Sequence, residues 1–245
     1  MFSDIHCHLD EIKDIEKLVS EAKQKNVHAL FSNSVDLKSM QANLELAKRF
    51  PEIKPLLGLH PKDILEMSTE QIRTGIEFLQ KQLKQAVGIG EIGLDYKYAE
   101  TSAQKQRQQE VFGEQIGIAI ENNLAVEIHS RRSRTECLET LERLNAEKVL
   151  FHWFNGNRKQ IQQIVDCGWF ASLGPSILFQ DYNLEMVQAL PLENLLLETD
   201  CPVPFNGKDS RPSWIPEIAK KVAEVKECSL SEVEHIAERN LEKLF

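Results

Sequence analysis

Apolar residues along this chain change rhythm many times. Short continuous apolar runs alternate with longer stretches in which apolar residues recur every three or four positions. The first kind reads as a buried strand and the second as an amphipathic helix. The runs are 2–5, 27–31, 53–59, 86–89, 124–128, 149–151, 169–173 and 195–197. Between the first two, Ile12, Ile15, Leu18, Val19 and Ala22 fall at helical spacing; Leu37, Met40, Leu44, Leu46 and Ala47 do so before Pro51, which closes that helix. Helices are predicted over 72–83, 104–121, 133–144, 158–166 and 184–189, with two more, 215–226 and 230–244, at the end. Ser133 is the expected N-cap of its helix, with Glu136 three positions on completing a capping box.

Eight apolar runs separated by helices imply parallel strands joined by crossovers, and eight such units close into a (β/α)8 TIM barrel. The length of 245 residues suits that fold, which typically needs about 250. No Gly/Ser-rich linker interrupts the cycle, so one domain is expected over 1–245. Dinucleotide binding is disfavoured. The pattern GxGxxG occurs at Gly88–Gly93, but it lies on the fourth run rather than after the first, and no helix follows it.

Composition adds exclusions. With 29 basic and 38 acidic residues the formal charge is -9, which argues against a protein that coats nucleic acid nonspecifically. A nuclease stays open, because bound divalent cations reverse the local field. Cys7, Cys137, Cys167, Cys201 and Cys228 are odd in number and form no CxxC pair, so free thiols in a reducing cytoplasm are expected. No basic region followed by an apolar stretch opens the chain, and no run approaches the roughly 18 apolar residues of a membrane span.

The ends of the runs carry the chemistry. The first ends in His6-Cys7-His8; residues two apart share a side of a strand, so both imidazoles can serve one metal. The third ends in His60, the fourth in Glu91, the fifth in His129, the sixth in His152 and the eighth in Asp200. In a barrel all these C-terminal ends surround one mouth. His28, near the start of the second run, and His235, on the last helix, are read as structural. Imidazole nitrogen and carboxylate oxygen suit zinc, manganese or iron. Glu91 can bridge two cations, which lower the pKa of water and polarise a phosphoryl or carbonyl oxygen. Asp200 can hold a cation and accept the proton of the attacking water. Spacing alone leaves the cleaved bond open.

The segments DIHCHLD (4–10), GLHP (58–61), GEIGLDY (90–96), EIHSR (127–131), HWFNG (152–156), LLLETDCP (195–202) and NLEKLF (240–245) together resemble the TatD family of metal-dependent deoxyribonucleases. The resemblance implies that His6 and His8 bind one metal, His129 and His152 a second, that Glu91 bridges, and that Asp200 is ligand and general base. It implies Mg2+ or Mn2+ in activity, with Zn2+ also suited, and 3′–5′ exonuclease action on single-stranded DNA or 3′ ends. His60 would touch the scissile phosphate or a water just beyond the metal ligands. Arg131 is a phosphate-clamp candidate through its charged fork. Two departures bear on substrate. The family's HCFSG is here His152-Trp153-Phe154-Asn155-Gly156, and its RNEP-like segment is Ser210-Arg211-Pro212-Ser213, where Arg211 is a further phosphate candidate. Trp153, Phe154, Phe205 and Trp214 are candidates for stacking on bases. The HWF form and the segment 168–174 are similar to the TatD-like component of Qat antiphage clusters. Two alternatives therefore stand beside the nuclease: an ester or amide hydrolase such as a D-aminoacyl-tRNA deacylase, and a partner subunit of a multiprotein defence complex.

Overall fold

The computed structural model describes residues 1–180 and 184–245. Strands β1 (Phe2–Cys7), β2 (Val27–Ser32), β3 (Ile53–Leu57), β4 (Gly88–Asp95), β5 (Ala125–Arg131), β6 (Val149–Phe151), β7 (Phe170–Leu173) and β8 (Leu195–Leu197) pair in sequence order, each parallel to the next. The seam between β8 and β1 is closed by a parallel bridge between Cys7 and Cys201, by His8 N–H donating to the Cys201 carbonyl at 2.7 Å and by Asp200 N–H donating to the His6 carbonyl at 2.9 Å. This is the TIM barrel that the alternating rhythm predicts.

Helices α1 (Ile15–Gln24), α2 (Leu37–Arg49), α3 (Thr69–Gln82), α4 (Ser102–Glu121), α5 (Arg134–Arg143), α6 (Arg158–Asp166), α7 (Leu184–Ala189), α8 (Ile215–Lys226) and α9 (Leu230–Leu244) surround it. Each presents one apolar stripe to the strands; α1, for example, buries Ile15, Leu18, Val19 and Ala22. Side chains of Asp36, Ser68, Thr101 and Asn157 accept the N3 backbone N–H in complete capping boxes. Ser133 does not. It sits at the N-cap of α5, but its hydroxyl donates to the Leu94 carbonyl at 2.6 Å, so it ties β4 to this helix instead of capping it. Among the described residues no helix is long and apolar enough to cross a membrane.

The barrel interior has a distinct lower layer. Ile5, Phe31, Leu56, Ala125, Leu150, Phe170 and Leu196 form one buried cluster, each from a different strand, and Leu244 joins them from the end of α9. Phe245 stacks on Phe31 with ring centroids 4.8 Å apart, so the chain terminus plugs the floor. Because strand side chains alternate, residues two positions further along point into the same interior, one layer nearer the mouth.

Two details differ from the sequence expectation. β4 does not stop near Ile89 but continues to Asp95, buried throughout, with a register shift between Ile89 and Ile92. Glu91 therefore sits at an irregularity inside the strand, not at its end. Glycine is why the run looked short. A side chain at Gly90 would strike Asn33 and Glu127, and one at Gly93 (φ 141°) would strike the His129 carbonyl. The second detail is a small hairpin after β8, β9 (Pro204–Phe205) with β10 (Lys208–Asp209), turned by Asn206 (φ 48°) and Gly207 (φ 75°). Positive φ at both central residues is what a type I′ turn needs.

Candidate active site

Strand alternation builds two tiers above the floor. On β5 the order is Ala125, Glu127, His129; along β8 and the residues after it, Leu196, Glu198, Asp200; on and after β6, Leu150 then His152; on and after β7, Phe170 then Ser172. The middle tier is polar and buried, and the top tier opens on the mouth.

At the top, seven side chains converge. The Nε2 atoms of His6 and His8 lie 3.2 Å apart, and Asp200 Oδ1 is 3.3 and 3.5 Å from them. Glu91 Oε2 is 3.7 and 3.5 Å from the same two nitrogens. The other oxygen, Oε1, faces a second group: His129 Nδ1 at 2.6 Å, His152 Nε2 at 2.9 Å and His60 Nε2 at 3.6 Å. His129 Nδ1 and His152 Nε2 are 3.3 Å apart. Nitrogen and oxygen donors about 2.0–2.2 Å from a tetrahedral cation stand roughly 3.3–3.6 Å from one another, so the first group already has the spacing of a coordination shell. The second is tighter around Glu91 Oε1, with His129 and His152 at hydrogen-bond distance. The donors are nitrogen and oxygen only; Cys7, between His6 and His8, donates to the Phe31 carbonyl instead. The residues present fit a pair of borderline or hard divalent cations.

Carboxylates packed against imidazoles set the charge states. Burial opposes charge on His6, but Glu127, Asp200 and Glu91 outweigh it and raise its pKa well above 6.5. Burial and the His6 charge both oppose protonation of His152, yet Glu91 and Glu198 push it up to about 10. Burial works against the Glu91 and Asp200 carboxylates as well; the surrounding histidines hold both below the usual range. His60 goes the other way, lowered chiefly by burial. Imidazole nitrogens bind a metal in their neutral form, so a cation held here would displace protons from these histidines.

The middle tier orients the ligands, and the sequence reading missed it. Glu127 Oε1 accepts from His6 Nδ1 at 2.6 Å, while Asn33 Nδ2 donates to its other oxygen at 3.0 Å. Asp95 Oδ2 accepts from His129 Nε2 at 2.9 Å. Glu198, fully buried and bonded by the Ser172 hydroxyl, lies 3.7 Å from His152 Nδ1. The hydrogen-bonded carboxylates behind His6 and His129 fix the tautomers of those imidazoles and raise their basicity. The signal was present: Glu127 and Glu198 each stand two residues before a ligand.

The family model for TatD related DNase matches residues 3–245. This chain belongs to the TatD family. The uncharacterized metal-dependent hydrolase YabD of Bacillus subtilis is 31% identical over 256 residues, covering 100% of this chain and 99% of that protein. The human deoxyribonuclease TATDN3 is 31% identical, covering 99% and 93%. Among solved structures, the TatD homologue YjjV of Escherichia coli superposes with a TM-score of 0.91 at 28% identity, over 100% of this chain and 97% of that one. The TatD protein described here is accordingly a metal-dependent hydrolase.

A cleft of about 420 Å³ leads down to His129, His152 and Asp200 in this TatD barrel. Arg131, Arg134, Trp153 and Asn155 line its walls. Arg134 was not singled out in the sequence; its Nη1 donates to Asn155 Oδ1 at 2.6 Å. Arg211 does not line this cleft, because its guanidinium pairs with Glu21 of α1 at 2.9 Å. Of the four aromatic candidates, Phe154 is buried against Phe151, and Trp214 is half-buried on the core and does not line the cleft. Trp153 and Phe205 remain at the rim, with centroids 4.9 Å apart. His28, at the start of β2, and His235, on α9, are exposed and stand away from the carboxyl ends of the strands.

Proposed function

We propose that this hydrolase cleaves phosphodiester bonds at DNA ends, as a 3′–5′ exonuclease that uses two divalent cations, Mg2+ or Mn2+ in turnover with Zn2+ also suited to the donors. One observation carries the two-cation reading: Glu91 turns one oxygen to His6 and His8 and the other to His129 and His152. The human relative's name supports DNA as the substrate.

Divalent cations held there polarise a phosphoryl oxygen and lower the pKa of water. The chain supplies the rest. Asp200 stays ionised, with Oδ1 against His6 and His8, and lines the cleft, which suits it to take the proton from an attacking water. His60 is held by Asp63 at 3.0 Å and turns Nε2 toward Glu91, where it can contact the scissile phosphate. Arg131, exposed on the wall, offers its fork to a neighbouring phosphate. The backbone at Asp200 (φ 51°) and Trp153 (φ 41°) is left-handed, a conformation that non-glycine residues keep where the surroundings enforce it.

The test is a 5′-labelled single-stranded oligonucleotide incubated with protein and Mn2+. A ladder shortening from the 3′ end is expected, lost in His129→Ala. Equal activity in that variant, or faster hydrolysis of a D-aminoacyl-tRNA ester than of DNA, would overturn the reading. The sequence likeness around Trp153 supports an antiphage complex as its setting, for which an Asp200→Asn protein should fail to protect cells from phage.

A further inference from the structure

Trp153 follows the ligand His152 directly, at the position where the family pattern has cysteine. Its left-handed backbone separates it from its neighbour: Phe154 enters the core against Phe151, while the indole lines the cleft. Phe205 reaches it from the β9–β10 hairpin, with centroids 4.9 Å apart and planes at 33°. That is a direct aromatic contact, with no room for a base between the rings. Phe205 does not itself line the cleft, so it backs the indole and leaves the other side toward the cleft.

The wall beside this ring is cationic. Arg131 makes no ion pair among the described residues, and Arg134 is held by Asn155, a neutral partner, instead of by a carboxylate. On a chain of charge -9, two arginines that line the cleft without a salt bridge among the described residues leave their guanidinium groups available to a phosphate there. An aromatic face next to cationic side chains is the arrangement that binds single-stranded nucleic acid, the ring taking the base and the cations the backbone.

We infer that Trp153, buttressed by Phe205, is a platform for the nucleobase adjoining the scissile phosphate, and that Arg134 grips the next phosphate along the strand. This rests on the phosphodiesterase reading and goes beyond it. The site selects a nucleotide by its base, and so an unpaired or frayed end, in preference to a bare sugar–phosphate ester. The base need not be of one kind, because every base presents a π-face.

The experiment compares kcat/KM on a single-stranded oligonucleotide with that on the same strand carrying tetrahydrofuran abasic residues at its two terminal positions. Wild type should prefer the intact strand by about tenfold to hundredfold, the scale of one base stacked on an aromatic ring. Trp153→Ala should collapse that ratio, mainly through KM; Trp153→Phe should restore most of it, and Phe205→Ala should reduce it partially. An intact-to-abasic ratio near one in wild type, or a ratio unchanged in Trp153→Ala, overturns the platform. Tryptophan fluorescence titrated with short oligothymidylate in chelator reads binding without turnover. Quenching that the Trp153→Phe protein lacks supports the platform even if no DNA is cleaved, in which case the nuclease reading alone fails. Equal quenching in both proteins counts against the platform.

Discussion

The floor and the mouth of this barrel are built by the same strands, a few residues apart, and they differ in almost everything else. At the floor, Leu150, Phe170 and Leu196 pack with Leu244 into a dry layer. Two to four positions further along the chain, His152 and Asp200 stand at the mouth, buried but polar. Apolar burial at the floor stabilises by roughly 25 cal/mol per Å² and asks little beyond shape. Burying carboxylates at the mouth costs free energy unless each finds a partner, so it is tolerated here only because imidazoles, and in turn cations, compensate. Substitutions should therefore separate cleanly: floor changes should alter stability, and mouth changes should alter turnover.

The sharpest way to break this contrast is Glu91→Gln. It should lower kcat by roughly a hundred- to a thousand-fold or more, since it removes the carboxylate shared by both groups, while circular dichroism and Tm stay near wild type. Loss of the folded signal would show that Glu91 holds the barrel and not the chemistry. Leu150→Ala is the mirror image. It should cost about 2–5 kcal/mol in urea denaturation, with kcat per folded molecule little changed.

Between these two layers lies the tier that the sequence concealed. His6, His8, His129, His152 and Asp200 were legible because each ends or follows an apolar run, where a polar residue breaks the pattern. Glu127 and Glu198 sit inside or at the edge of such runs, where a lone carboxylate looks like a loop residue intruding on a strand. Only the barrel's closure shows them pointing inward beneath the ligands. The extent of β4 was hidden because Gly88, Gly90 and Gly93 carry no apolar side chain, although close approach by Asn33 and Glu127 at Gly90, and by His129 at Gly93, requires glycine at those two positions. The Asn206–Gly207 turn was legible in principle; its strands are two residues each, too short for any periodicity. Arg211 shows the opposite limit, because its partner Glu21 is 190 residues away in sequence.

That middle tier supplies an intermediate effect. Glu127→Gln keeps the shape but weakens the hydrogen bond to His6, and should reduce Mn2+ affinity by about tenfold to hundredfold in a calorimetric titration. Unchanged affinity would mean that Glu127 merely fills space.

The smallest effect belongs outside the barrel, at the Lys23–Glu52 ion pair between α1 and the start of β3. The hydrogen bond from Lys23 holds the Glu52 carboxyl below its ordinary 4.5. A lowered folded pKa means a contribution present above about pH 4.5 and lost as the pH falls through the folded value. Glu52→Gln should cost under about 1 kcal/mol at pH 7 and progressively less as the pH falls through the folded pKa, with turnover untouched. A larger loss, or one that grows in acid, would show that this exposed pair carries more than its solvation allows.

The central claim is that side chains spread from His6 to Asp200 close around two cations divided by Glu91. Anomalous scattering from Mn2+-soaked crystals tests it most directly. Two peaks about 4 Å apart are predicted, one against His6, His8 and Asp200 and the other against His129 and His152, with a Glu91 oxygen on each. A lone peak that Glu91 does not touch, or manganese bound only at the rim, would contradict it.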